Sequence, residues 1–195
     1  DVQSIVIDAA NSTGSQNNTY NATDTIVLTV TMKSAVDINT TGGAPRLKVA
    51  LDNGATAWAT YDSTLTGGDT NKTVLKFKYT VGSTDADSNG ISIAAGTATT
   101  SSIDVNGGHI YKTGTTTDAK ITQSPALVDN ASFMVDTTVP AGVTALTFSS
   151  VSSDVNDSAP TDATTNKATG SVVFSYTGTG LVAGEHFQYS IDGGA

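Results

Sequence analysis

Along most of this chain hydrophobic and polar residues alternate, the period-2 pattern of strands that bury one face. In TIVLTVT, residues 25–31, Ile26, Leu28 and Val30 fall on one side. RLKVAL at 46–51 does the same with Leu47, Val49 and Leu51, and the turn LDNG then leads into TAWATY at 56–61. The Asn53-Gly54 pair in that turn is a hairpin signal, since both residue types accept a positive φ. TVLKFKYTV at 73–81 turns Leu75, Phe77, Tyr79 and Val81 inward, with Lys76 and Lys78 outward. Shorter stretches at QSIVID (3–8), ISIA (91–94), HIYK (109–112) and SFMV (132–135) complete a series whose spacing suits a β-sandwich.

The texture changes at VDTTVPAG, residues 135–142. A new alternation follows in VTALTFS (143–149), SVVFSY (171–176) and HFQYSI (186–191), closing on the turn Asp192-Gly193-Gly194. The pattern predicts two domains, 1–136 and 137–195. Three strands bury a single sheet face poorly, so the second domain is expected to be an incomplete sandwich, cut from something longer or completed by another segment.

Composition strengthens the all-β reading. Of 195 residues, 37% are hydrophobic and only 14% charged, and Thr, Ser, Asn and Gly take the place of surface charge. Glu185 is the only Glu, which leaves little material for long helices. The net charge of -9 would repel phosphate backbones, so nucleic acid is excluded as a partner. There is no Cys, hence no disulfide and no thiolate-bound zinc. No apolar run has membrane length, and no membrane insertion is expected in this segment. Asn-x-Ser/Thr triplets at Asn11, Asn17, Asn21, Asn39, Asn71, Asn130 and Asn156 are what a Thr-rich chain produces by chance.

Chemistry-bearing residues are few. TDADSNGI at 84–91 starts like an EF-hand loop, with Asp85, Asp87, Asn89 and Gly90 in order. The helical version fails, because the twelfth position holds Gly96 where a bidentate Glu is needed. Two readings stand: a solvated polar turn, or a hard-cation site of another kind in which Asp85 and Asp87 share one side of an extended segment. His109 and His186 have no partners at ligand spacing and read as ordinary strand or surface residues. Trp58, out of phase with Ala57 and Ala59, either covers the opposite sheet face or stands exposed, where it could stack on a sugar. No nucleophile elbow, HExxH motif or phosphate loop is present, and Asp85/Asp87 is the only compact carboxylate pair, so no enzyme activity is expected.

The order of several stretches brings a resemblance. Y-x-x-x-D-T-I-x-L-T-V-T (Tyr20 to Thr31) is followed by T-G-G-A-P-R-L-K-V-A-L-D-N-G (Thr41 to Gly54) and L-K-F-K-Y-T-V (Leu75 to Val81). Then come D-A-D-S-N-G-I (Asp85 to Ile91), N-G-G-H-I (Asn106 to Ile110) and A-L-V-D-N-A-S-F-M-V-D-T-T-V-P (Ala126 to Pro140). This resembles the tandem immunoglobulin-like and cadherin-like repeats of large bacterial surface adhesins, the biofilm-associated and secreted RTX-type proteins. From Asp136 on, the D-T-T-x-P opening, the Asp-rich loop 153–166 and G-E-x-x-Q-Y-S-x-D-G-G (Gly184 to Gly194) are similar to a second repeat type of the same proteins.

The resemblance implies tandem antiparallel β-sandwich domains, the second incomplete, in an extracellular stalk at the bacterial cell surface. It also implies calcium stiffening the joints, with neighbouring repeats or subunits as partners in adhesion and biofilm formation. Asp136 in the linker and Asp154, Asn156, Asp157 and Asp162 in the following loop are the oxygen donors expected at the joint; the alternative is a solvated Asx-rich loop. Asp85, Asp87 and Asn89 are the second candidate set. Two other functions compete: a carbohydrate-binding module that meets surface glycans through an aromatic face, and a fibre subunit completed by a donated strand such as VQSIVID.

Overall fold

The computed structural model describes residues 1–96, 101–122 and 126–138 in full, together with the backbone of strands 145–151 and 172–177. The elements, in chain order, are β1 (Val2–Ile7), β2 (Thr19–Tyr20), β3 (Thr25–Asn39), β4 (Arg46–Ala50), β5 (Thr56–Tyr61), the one-turn helix α1 (Ser63–Thr66), β6 (Lys72–Thr80), β7 (Ala86–Asp87), β8 (Ile103–Asp104), β9 (His109–Lys112), β10 (Met134–Asp136), β11 (Ala145–Val151) and β12 (Val172–Thr177). The protein is all-β. Two compact units divide it, Asp1–Thr138 and Val139–Ala195.

The first unit is built on β3. Its leading half pairs antiparallel with β1 on one side and β6 on the other, in the register Leu28↔Ile7 and Leu28↔Phe77. After an irregularity between Thr31 and Val36 the strand changes partner, and its trailing half pairs with β9. The sheet runs β1-β3-β6-β5-β4-β8, with β9 attached to β3. A smaller three-stranded sheet, β2-β10-β7, has β10 in the middle, parallel to β2 and antiparallel to β7.

Both sheets feed one hydrophobic cluster. Ile26, Leu28, Val30, Leu47, Val49, Leu75 and Phe77 are fully buried, and Tyr20, Phe133 and Val135 join them from the small sheet and its approach. Burial of each such side chain contributes about 1.5–3 kcal/mol. The alternation read from the sequence therefore marks the core side of β3, β4 and β6. The hairpin also forms: β4 and β5 pair up to Ala50↔Thr56, Gly54 has φ +75, and the Ala55 N–H donates to Asn53 Oδ1. ISIA is not a continuous strand; Ser92 bridges Ala50 and Ile93 bridges Leu127, with Ile91 and Ile93 in the core.

The outer face of β3 departs from simple alternation. Val27 and Thr29 are buried as well. The chain after β1 folds across this face: the Asp8 N–H donates to the Val27 carbonyl and Ser12 Oγ accepts from the Val27 N–H. Lys76, expected outward, is three-quarters or more covered there, paired with Asp8 and donating to Thr29 Oγ1 at 2.7 Å. Its stem covers apolar surface while its ammonium finds a carboxylate.

In the second unit β11 and β12 pair antiparallel, from Ala145↔Thr177 to Val151↔Val172. HFQYSI lies outside the described residues.

Candidate functional site

The connection between β6 and β7, residues 81–90, is where the sequence-selected carboxylates meet the fold. Two hydrogen bonds hold Asp85: the Tyr79 hydroxyl donates to Oδ2 at 2.5 Å and the Gly82 N–H to the same oxygen at 2.7 Å. Burial first, then the bond to Asp85 and the charges of Asp85 and Asp87, push the Tyr79 hydroxyl well above its ordinary range. Tyr79 thus stays a neutral donor, and Asp85 is a turn-closing carboxylate.

Asp87 is placed differently. It ends β7 opposite Val135 of β10 and is only 2% exposed. Its Oδ1 is buried with no hydrogen-bond partner. Burial, and secondly the charge of Asp52, push its carboxyl above the usual range; N–H groups of Gly90, Asp52 and Asn89 oppose this in part. A buried carboxylate with an unmet oxygen is costly unless something neutralises it.

Two residues that sequence reasoning did not select bind the same loop, and one of them, Asp52, acts on Asp87. Asp52, in the β4–β5 turn, accepts at Oδ2 from both the N–H and the hydroxyl of Ser88, each at 3.0 Å. In the same turn Asn53 Nδ2 donates to the Thr84 carbonyl. On the other side Asn89 Nδ2 reaches Asp129 Oδ2 at 3.3 Å. Gly90 lies against the Asn130 backbone, with φ +97, so close that a Cβ there would stand 1.9 Å from the Asn130 carbonyl oxygen. The only signals for Asp52 and Asp129 were their presence in turn-forming Asp-Asn pairs.

Among the described residues Asp52, Asp85, Asp87 and Asp129 form no ion pair, whereas Asp8, Asp62 and Asp104 each hold a Lys or Arg. The loop is therefore an uncompensated acidic hub. No three His, Cys, Asp or Glu side chains gather at metal-binding distance among the described residues, so a cation here would rely on two carboxylates and neutral oxygens.

Asp136 belongs elsewhere. As the last residue of β10 it pairs with Ala86, and paired residues project to the same face, so it is turned away from the face that Asp87 occupies. Its Oδ1 accepts from the Thr138 N–H at 2.9 Å. Asp154, Asn156, Asp157 and Asp162 lie outside the described residues, as does His186. The Thr137 hydroxyl reaches the Ser83 and Asp85 carbonyls, which ties the exit of the unit to the same loop.

The remaining candidates are engaged. Arg46 stacks over the half-buried Trp58 ring, 4.1 Å from its centroid, and its guanidinium holds Asp104. One Trp face is thus taken by a cation rather than presented to a ligand. His109 stacks on Tyr111 and approaches Asp118. The VQSIVI segment is strand β1, paired to β3 of its own unit.

No family model matches this chain, and neither the curated proteins nor the solved structures include a significant match.

Proposed function

We propose that this chain is a non-enzymatic structural segment of an extracellular bacterial surface protein, a piece of a stalk or filament serving adhesion and biofilm formation. The observation that carries the reading is the fastening of the first unit's exit. Its last strand, β10, is the middle strand of a sheet, and Thr137 immediately beyond it is bound to two carbonyls of the 81–90 connection. A module that transmits force or spacing needs its outgoing chain secured to its core; a loosely attached exit would leave a hinge.

On this reading the first unit is a sandwich of the immunoglobulin-like or cadherin-like kind, its large and small sheets sharing one core. Neighbouring units of the same kind are its partners. Calcium at the joint, held by Asp136 with Asp154, Asn156, Asp157 and Asp162, stiffens the connection by drawing several carboxylates onto one ion.

Domain-resolved NMR relaxation on the 195-residue chain, with calcium and with chelator, tests the proposal. The expected result is a common tumbling time for both units in calcium. Independent tumbling of the two units in both conditions overturns the stalk reading.

A further inference from the structure

We propose that the first unit contains a weak calcium centre of its own, in which Asp87 and Asp52, with neutral oxygens of the surrounding turns, clip the β4–β5 turn to the β6–β7 connection. Asp87 is the group that calls for an ion. Its carboxyl is almost completely buried, one oxygen has no partner, and no Lys or Arg among the described residues pairs with it. Even with backbone N–H groups on its other oxygen, a buried charge with no cation beside it is expensive, and proteins satisfy it with a proton, a cationic side chain or a metal ion.

The surroundings favour a metal. A second carboxylate, Asp52, acts on Asp87 through its charge, which is repulsive unless a cation lies between them. Asp52 is held in place through Oδ2 by Ser88, so its position is set before any ion arrives. Asp85, which the spacing alone would enlist, is not among the charges that act on Asp87, and no third carboxylate gathers with Asp52 and Asp87 among the described residues, so it is not part of the centre.

Calcium is the ion that this chemistry selects. Only oxygen donors are at hand, and His109, the His of this unit, is occupied with Tyr111 and Asp118. Calcium accepts irregular shells of six to eight oxygens, completed by carbonyls and water, while magnesium demands a near-ideal octahedron. Two carboxylates make the affinity low, in the range of about 0.1–1 mM typical of extracellular modules.

This centre lies within the first unit and does not depend on the joint, so the two can fail separately. The test uses the 195-residue chain and two probes, terbium(III) alone and calcium alone. Tyr79, whose hydroxyl feels the charge of Asp87, is placed to sensitise terbium emission. The expected results are tyrosine-sensitised emission that calcium competes away, and a rise of about 5 °C in the melting temperature of the first unit at roughly 10 mM calcium. Asp87→Asn should abolish both while Asp136→Asn leaves both intact. Asp52→Asn, at an exposed turn, should weaken binding at least tenfold and serves as the readout if the Asp87 variant does not fold. No emission and no calcium-dependent shift in the wild-type chain overturn the proposal. So does a response that survives both the Asp87 and the Asp52 substitutions.

Discussion

The Tyr79 hydroxyl and the Asp85 carboxylate meet at 2.5 Å, which joins the last core residues of β6 to the turn that follows. The phenol is buried and the carboxylate half-buried, so this is a charge-assisted bond in a partly dry place. Tyr79→Phe keeps the ring in the core and removes the donor, leaving Asp85 Oδ2 with the Gly82 N–H alone. Urea denaturation should show a loss of about 1.5–3 kcal/mol. A change within error would mean that water replaces the hydroxyl at no cost.

Gly90 tolerates nothing larger. Its φ of +97 and the nearby Asn130 backbone both oppose a side chain. Gly90→Ala should cost more than about 2 kcal/mol in the same assay. It should also speed amide hydrogen exchange at Ile91 and Phe133, whose N–H groups donate to the Phe133 and Asn130 carbonyls. Unaltered exchange at both amides would refute the close approach.

Lys76 tests the covered outer face of β3. Lys76→Met retains the apolar stem but strands Asp8, whose carboxyl the Lys76 bond holds below its ordinary range. A loss of about 2–4 kcal/mol is expected, because a largely covered carboxylate is left without its cation. The double variant that also carries Asp8→Asn should recover part of that loss, a coupling readable from the four-corner cycle.

Acid titration separates two kinds of carboxylate. Burial, with Asp52 beside it, raises Asp87 above the ordinary 3.8, so the folded chain binds this proton more tightly than the unfolded chain does. In chelator, its contribution to stability therefore grows as pH falls through the folded-state pKa and is complete below 3.8. Asp8, Asp37, Asp62 and Asp104 act in the opposite sense. They are held below 3.8, chiefly by hydrogen bonds from Lys76, Asn71, Leu65 and Asn106, and their stabilisation is lost as pH falls through those lower values. Melting temperature against pH should thus rise on mild acidification and then fall. Asp87→Asn should flatten the rise and preserve the fall; a rise that persists in the variant would assign it to another group.

The strands were legible because one face of each is core, and alternation records that directly: Leu47, Val49, Leu75 and Phe77 all sit where period 2 puts them. Burial on both faces of β3 left no such trace. What covers Val27 and Thr29 is a polar segment held by Asp8 and Ser12 hydrogen bonds, which hydropathy does not register. The site was half visible. Asp85 and Asp87 were picked out by their spacing, yet their roles differ because Tyr79 claims one and the core encloses the other. Asp52 and Asp129 arrive from distant turns through sheet register, and no local spacing encodes that.

The parallel pairing of β10 with β2 has a bearing on how the first unit is made. Beyond the local bridge of Thr19 to Gln16, Thr19 and Tyr20 pair with Met134 and Val135, across nearly the whole length of the unit. A chain that emerges from its N-terminal end can assemble β1, β3, β6 and the β4–β5 hairpin early. The small sheet must wait for its middle strand, and until then Tyr20 lacks the stacked Phe133 ring that seals it. Completion is thereby timed to the arrival of the unit's last residues, and the small sheet closes as the final step.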